Sequence, residues 1–129
     1  MIRYISTTGA PKPFSRYSQA VAVSGGARLV FVSGQVGVRT DGSLPDTETG
    51  EHEQAWSNVL GILRSEGLGP RDIVDVTAYV TNQAAVASFR QVRDRMLEGA
   101  EPASTLLIVS GLADPNWHVE IQVVAATSR

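Results

Sequence analysis

The run from Asp72 to Thr81 alternates so regularly that only a strand covered on one side accommodates it. Val74, Val76, Ala78 and Val80 make one wholly apolar face, while Ile73, Asp75, Thr77 and Tyr79 make a mixed one. The segment of about Trp117–Ala126 repeats the pattern, with Trp117, Val119, Ile121 and Val123 opposite His118, Glu120 and Gln122. Strands of this kind need cover on a single face, and two segments of helical period supply it. From about Thr47 to Glu66, apolar residues at Ala55, Trp56, Val59, Leu60, Ile62 and Leu63 form one stripe that Gly67 and Gly69-Pro70 terminate. Gly50 weakens the first turn of that helix. Asn82 is the expected N-cap of the second, with Val86, Phe89, Val92 and Met96 at helical spacing and Gly99 as terminator.

Shorter strands are expected at about Ala20–Val23 and Arg28–Ser33, after a short apolar start at Ile2 to Ile5 and a loop at Pro11-Lys12-Pro13. Ser24-Gly25-Gly26-Ala27 between two β-branched runs predicts a hairpin joining this pair. A further strand is expected at about Thr105–Ser110. The order is βββαβαββ: an α+β domain spanning residues 1–129, with two helices packed on one face of one mixed sheet. The opposite, half-polar face carries Tyr79, His118 and Glu120 and is a candidate for burial against other subunits.

Composition narrows the function classes. The chain has 129 residues, no cysteine and a formal charge of -2. Disulfides, thiolate metal sites and a cysteine nucleophile are therefore excluded, and two histidines distant in sequence, His52 and His118, offer no dedicated metal set. The only basic grouping is the spaced Arg90, Arg93 and Arg95, too sparse for a phosphate-binding patch, so no nucleic-acid partner is expected. No apolar run approaches the roughly 20 residues of a membrane span, and the N-terminus lacks a signal pattern. A cytoplasmic location follows as the expectation.

Four blocks in order resemble the RidA/YjgF family. They are Tyr17-Ser18-Gln19-Ala20, Phe31-Val32-Ser33-Gly34-Gln35, the helix-turn-strand from Asn58-Val59 through Gly67-Leu68 to Tyr79-Val80, and Pro102-Ala103-Ser104-Thr105 with the later Glu120. The resemblance implies a chorismate-mutase-like fold, a homotrimer with three clefts between subunits, and hydrolysis of reactive 2-imino acids to 2-keto acids and ammonia without a cofactor. In such members an arginine clamps the substrate carboxylate, backbone at the Ser-Gly-Gln turn helps, a glutamate places the attacking water, and a tyrosine closes the pocket from a neighbouring subunit. Here the arginine position holds Ser104, and Arg16 stands where proline is common.

A guanidinium makes two charge-assisted bonds to a carboxylate and a hydroxyl at best one neutral bond. The loss is about 1.5–3 kcal/mol, on the order of 10- to 150-fold in affinity. Standard 2-imino acid deaminase activity is accordingly not expected. The resemblance leaves a divergent imine or enamine hydrolase with Glu120 as its catalytic group, or a non-catalytic module that binds a small metabolite such as an organic acid; ribonuclease activity is a distant third. Candidate ligand-binding residues are Tyr17, Ser33, Gly34, Ser104, Thr105 and Arg90. Arg90 falls where many deaminase-active members carry asparagine. It either pairs with Asp94, four residues on, or turns into the cleft as the cation that Ser104 cannot supply. His118, two residues from Glu120 on the same strand face, either sits at the rim or helps frame a water.

Overall fold

The computed structural model describes residues 1–128. Its strands are β1 (Ile2–Ile5), β2 (Ala20–Val23), β3 (Arg28–Val36), β4 (Ile73–Val80), β5 (Ala103–Ile108) and β6 (Val119–Thr127); its helices are α1 (Glu48–Ser65) and α2 (Val86–Met96). The order matches βββαβαββ. A mixed four-stranded sheet runs β3-β6-β4-β5, with β6 antiparallel to both neighbours and β4 parallel to β5.

The expected alternation decides which face is covered. Val76, Ala78 and Val80 stand level with Val123, Ile121 and Val119, and all six are buried beneath the helices. Trp56, Val59 and Leu63 of α1 and Phe89 and Val92 of α2 pack onto them, with the Trp56 and Phe89 rings 6.4 Å apart. Ile62 departs from the expected stripe. At 3.6 residues per turn it lies about a quarter-turn off the buried centre, and it is exposed.

The first turn of α1 is formed despite Gly50. Thr47, in extended backbone, accepts the Gly50 N–H at 3.0 Å, and Glu48 and Glu51 place negative charge at the helix N-terminus. Asn82 caps a single 3₁₀ turn, Gln83–Ala85, which then runs into α2.

Two expectations are corrected. The Gly25-Gly26 turn does not close a hairpin: β2 pairs with β1, Ile2 opposite Val23 and Ile5 opposite Ala20, in a separate two-stranded ribbon. A cavity of about 130 Å³ lined by Met1, Val23, Gly26 and Ala126 lies where the ribbon leaves the sheet. Nor does β3 end at Ser33. It continues to Val36 through a bulge, because Val32 stands opposite Val123 and Gln35 opposite Ile121. Ser33 and Gly34 therefore share the space facing Gln122, one residue more than the partner strand provides.

Beyond the bulge, Gly37 lets α1 close on the sheet. A Cβ there would lie 2.5 Å from the Glu51 carbonyl oxygen and 2.8 Å from its Cα.

Candidate functional site

The bulge shapes the first part of the site. Glu120 projects from the uncovered face of β6, and its carboxylate folds over Gly34, with Cδ 2.8 Å from where a Gly34 Cβ would be. Only a glycine leaves room for it. Glu120 is half-buried, and among the described residues its carboxylate has no hydrogen-bond or ionic partner. A carboxylate held against the sheet with its oxygens uncommitted can accept protons from a water molecule and orient it.

The remaining candidates occupy other places. Thr105 is level with Thr77 and exposed, on the same uncovered face as Glu120. Two inter-strand spacings of about 4.8 Å separate β5 from β6, so within the chain Thr105 does not touch Glu120. Ser104 is level with Val76 and therefore faces the helix side. Tyr17 lines a depression of about 240 Å³ with Tyr4, Pro13, Gln19 and Glu101. Its hydroxyl accepts the Phe14 N–H at 3.1 Å. The Ser18 N–H donates to the Pro102 carbonyl, which brings the Tyr17 segment to the start of β5, beside Ser104. The chain thus collects Ser33, Gly34 and Glu120 at the bulge, and Tyr17 and Ser104 at the β5 edge.

His118 does not join Glu120 around a water. It precedes β6, and its ring turns to α1, where Nδ1 lies 2.6 Å from one Glu51 oxygen while its backbone N–H donates to the other at 2.9 Å. This pair lines a depression of about 430 Å³ with Glu48, Asn82 and Asn116. Sequence reasoning missed Glu51 because a partner 67 residues away leaves no local pattern. Gln19 was missed likewise: its side chain takes the Thr7 N–H and donates to the Thr7, Ala10 and Pro11 carbonyls, fastening the proline-rich loop.

The two histidines, distant in sequence, are electrostatic neighbours. His52 is fully buried, and neither ring nitrogen has a partner among the described residues. Burial holds its pKa below the ordinary 6.5, against the pull of Glu48 and Glu51 and with some help from His118. Below pH 6.5 the unfolded chain takes up a proton that the folded ring refuses, so stability falls as pH drops. His52→Leu removes that contribution. Urea melts at about pH 5 and about pH 8 are expected to show the variant gaining on the parent at the lower pH. Parallel pH dependences would mean that His52 is not the group responsible.

These features define a class first: an α+β protein with two helices on a mixed sheet and a free glutamate over a bulged glycine on the uncovered face. The family follows from comparison. The endoribonuclease L-PSP model matches residues 7–127, and the chain belongs to this family, the RidA/YjgF proteins. A RutC family protein of Aquifex aeolicus is 34% identical over 96% of this chain and 98% of its own length. A 2-iminobutanoate/2-iminopropanoate deaminase of Dermatophagoides farinae is 32% identical, covering 95% and 94%. The crystal structure of the Rid-family protein YyfB from Yersinia pestis superposes with a TM-score of 0.83 at 28% identity, over 98% of each chain.

Proposed function

We propose that this protein is a divergent imine or enamine hydrolase that releases ammonia from a small molecule. It acts in the cytoplasm as a homotrimer, in clefts between subunits. The observation that carries this reading is the uncommitted Glu120 carboxylate seated over Gly34. Glu120 accepts a proton from water as the oxygen attacks the C=N carbon. The tetrahedral adduct then expels ammonia after the nitrogen gains a proton, leaving a carbonyl. Imines hydrolyse readily, so positioning supplies most of the rate enhancement.

Assembly is supported by the uncovered sheet face, where Leu29, Phe31 and Leu107 are exposed among polar neighbours; Phe31 is 73% accessible. Since Tyr17 and Ser104 lie apart from Glu120 in one subunit, clefts between copies are where these groups would meet. Similarity to 2-iminobutanoate/2-iminopropanoate deaminases supports the reaction class. Ser104 in place of the clamping arginine argues against a simple 2-imino acid as the preferred substrate. That substitution also favours the second reading, a binding module without turnover.

The deciding experiment is ammonia release from freshly generated 2-iminopropionate by the parent and by Ser104→Arg. The parent is expected to remain near the uncatalysed background and the variant to gain on the order of 10- to 150-fold, the yield of a restored charge-assisted contact. A parent already as active as the variant would remove the case for divergence. Inactivity of both, with saturable metabolite binding, would establish the second reading.

A further inference from the structure

Five buried polar side-chain atoms have no hydrogen-bond partner among the described residues. One is Nε of Arg90, which stands by Leu106 and Ile108 at the β5 edge, its expected partner Asp94 being engaged by Arg93 instead. The other four lie in file on α1: Oε1 of Glu48, both ring nitrogens of His52 and Nε1 of Trp56. Residues four apart on a helix stand over one another, with Cβ atoms about 5–6 Å apart. The file runs from the first turn of α1, where Glu48 lines the depression shared with Asn82 and His118, inward to Trp56 in the core. Phe89 of α2 packs against it, its ring 5.5 Å from that of His52 in an edge contact.

The Glu48 carboxylate is divided between two surroundings. Its Oε2 accepts a long hydrogen bond, 3.4 Å, from the Asn82 side-chain amide, while Oε1 is buried and unmatched. Asn82 caps the 3₁₀ turn that leads into α2, its Oδ1 accepting the Ala84 N–H at 3.1 Å. Glu48 thus ties the start of α1 to the approach of α2, and Glu53 with Arg95 ties the helices further along. A neutral His52 leaves this arrangement alone. Protonated, the ring would carry two N–H donors and a positive charge where water does not reach, and such a charge demands a counter-charge in contact with it. The groups acting on His52 are Glu48 and Glu51, which favour its proton, and His118, which opposes it; α2 meets it with the uncharged Phe89 ring. Glu51 is committed to His118 through both oxygens, so Oε1 of Glu48 is the acceptor at hand.

We propose that His52 and Glu48 form an acid-operated latch: a proton on His52 draws the Glu48 carboxylate inward, off Asn82, and frees the approach of α2 from the start of α1. In the closed state both ties hold; in the open state the Arg95–Glu53 tie remains and the Asn82 rim of the depression is released. Burial of the ring sets the switching range below the ordinary 6.5. The latch involves no contact with Glu120, so it does not rest on turnover there.

The test follows the His52 ring nitrogens and the Asn82 side-chain amide of the whole chain by NMR, from about pH 7.5 down to about pH 4.5. The Asn82 amide is expected to shift with the same midpoint as the His52 ring. His52→Leu, which keeps an apolar body in the core, is expected to abolish that titration, and Glu48→Gln to move the His52 midpoint further down. An Asn82 signal that stays in place while His52 titrates would overturn the proposal, as would a His52 midpoint unchanged in Glu48→Gln. Survival of the Asn82 titration in His52→Leu would assign it to His118 or to Glu48 itself and remove His52 as the trigger. Unfolding of the parent before the Asn82 amide moves would show that the folded protein has no such latch. Ammonia release has no bearing on any of these outcomes.

Discussion

Gly34→Ala, introduced into the Ser104→Arg protein, is expected to cut ammonia release on the order of 100-fold while leaving the fold intact. The new methyl group would overlap the Glu120 carboxylate, whose Cδ lies 2.8 Å from the Cβ position. What must move is the far end of a flexible side chain, so the stability cost is small. The catalytic cost is large, because a carboxylate displaced by about an ångström no longer holds water in line with the C=N carbon. Turnover at the unsubstituted rate, with a structure showing Glu120 moved, would dismiss Glu120 as the water-holding group. Equal loss in Gly34→Ala and Glu120→Gln would tie both effects to one carboxylate.

Gly37→Ala has the opposite character. Its methyl would meet the backbone of Glu51, 2.5 Å from the carbonyl oxygen and 2.8 Å from Cα. A helix cannot yield locally as a side chain can. Either α1 shifts as a body, loosening Trp56 and Leu63 from the sheet, or β3 bends away from it. An overpacked contact of this kind costs about 3 kcal/mol, expected to lower Tm by roughly 10 °C for a chain of this size. The strain falls on the residue that holds His118, so the Glu51–His118 contact is expected to loosen as well. A Tm within about 2 °C of the parent would show that α1 accommodates the methyl freely.

The contrast between these glycines shows what the sequence could and could not disclose. Alternation in β4 and β6 and the stripe of α1 are local consequences of burial, and each identified its element and covered face. Partner choice is different. Ser24-Gly25-Gly26-Ala27 has the composition of a hairpin turn, but whether two strands pair depends on what else competes for their edges, and β1 takes the edge of β2. The bulge at Ser33-Gly34 was invisible for a related reason: an extra residue is defined only against the partner's register.

Among site residues, Glu120 and Gly34 came from the resemblance and meet in the structure. The Arg90–Asp94 pairing came from helix spacing and does not form. Spacing permits that contact, yet the adjacent Arg93, buried and in need of an acceptor, makes the stronger claim on Asp94.

The extra residue in β3 also works as a phase slip. Before it, odd-numbered Leu29 and Phe31 look toward the uncovered side; after it, Val36 stands level with Glu120. The strand is thus written in two reading frames joined at Ser33-Gly34. Were all of these residues to pair one to one, without the bulge, strict alternation would turn every later side chain of the strand over and carry Gln35 to the side that Val36 now occupies. The length of this stretch, as much as its composition, is under constraint.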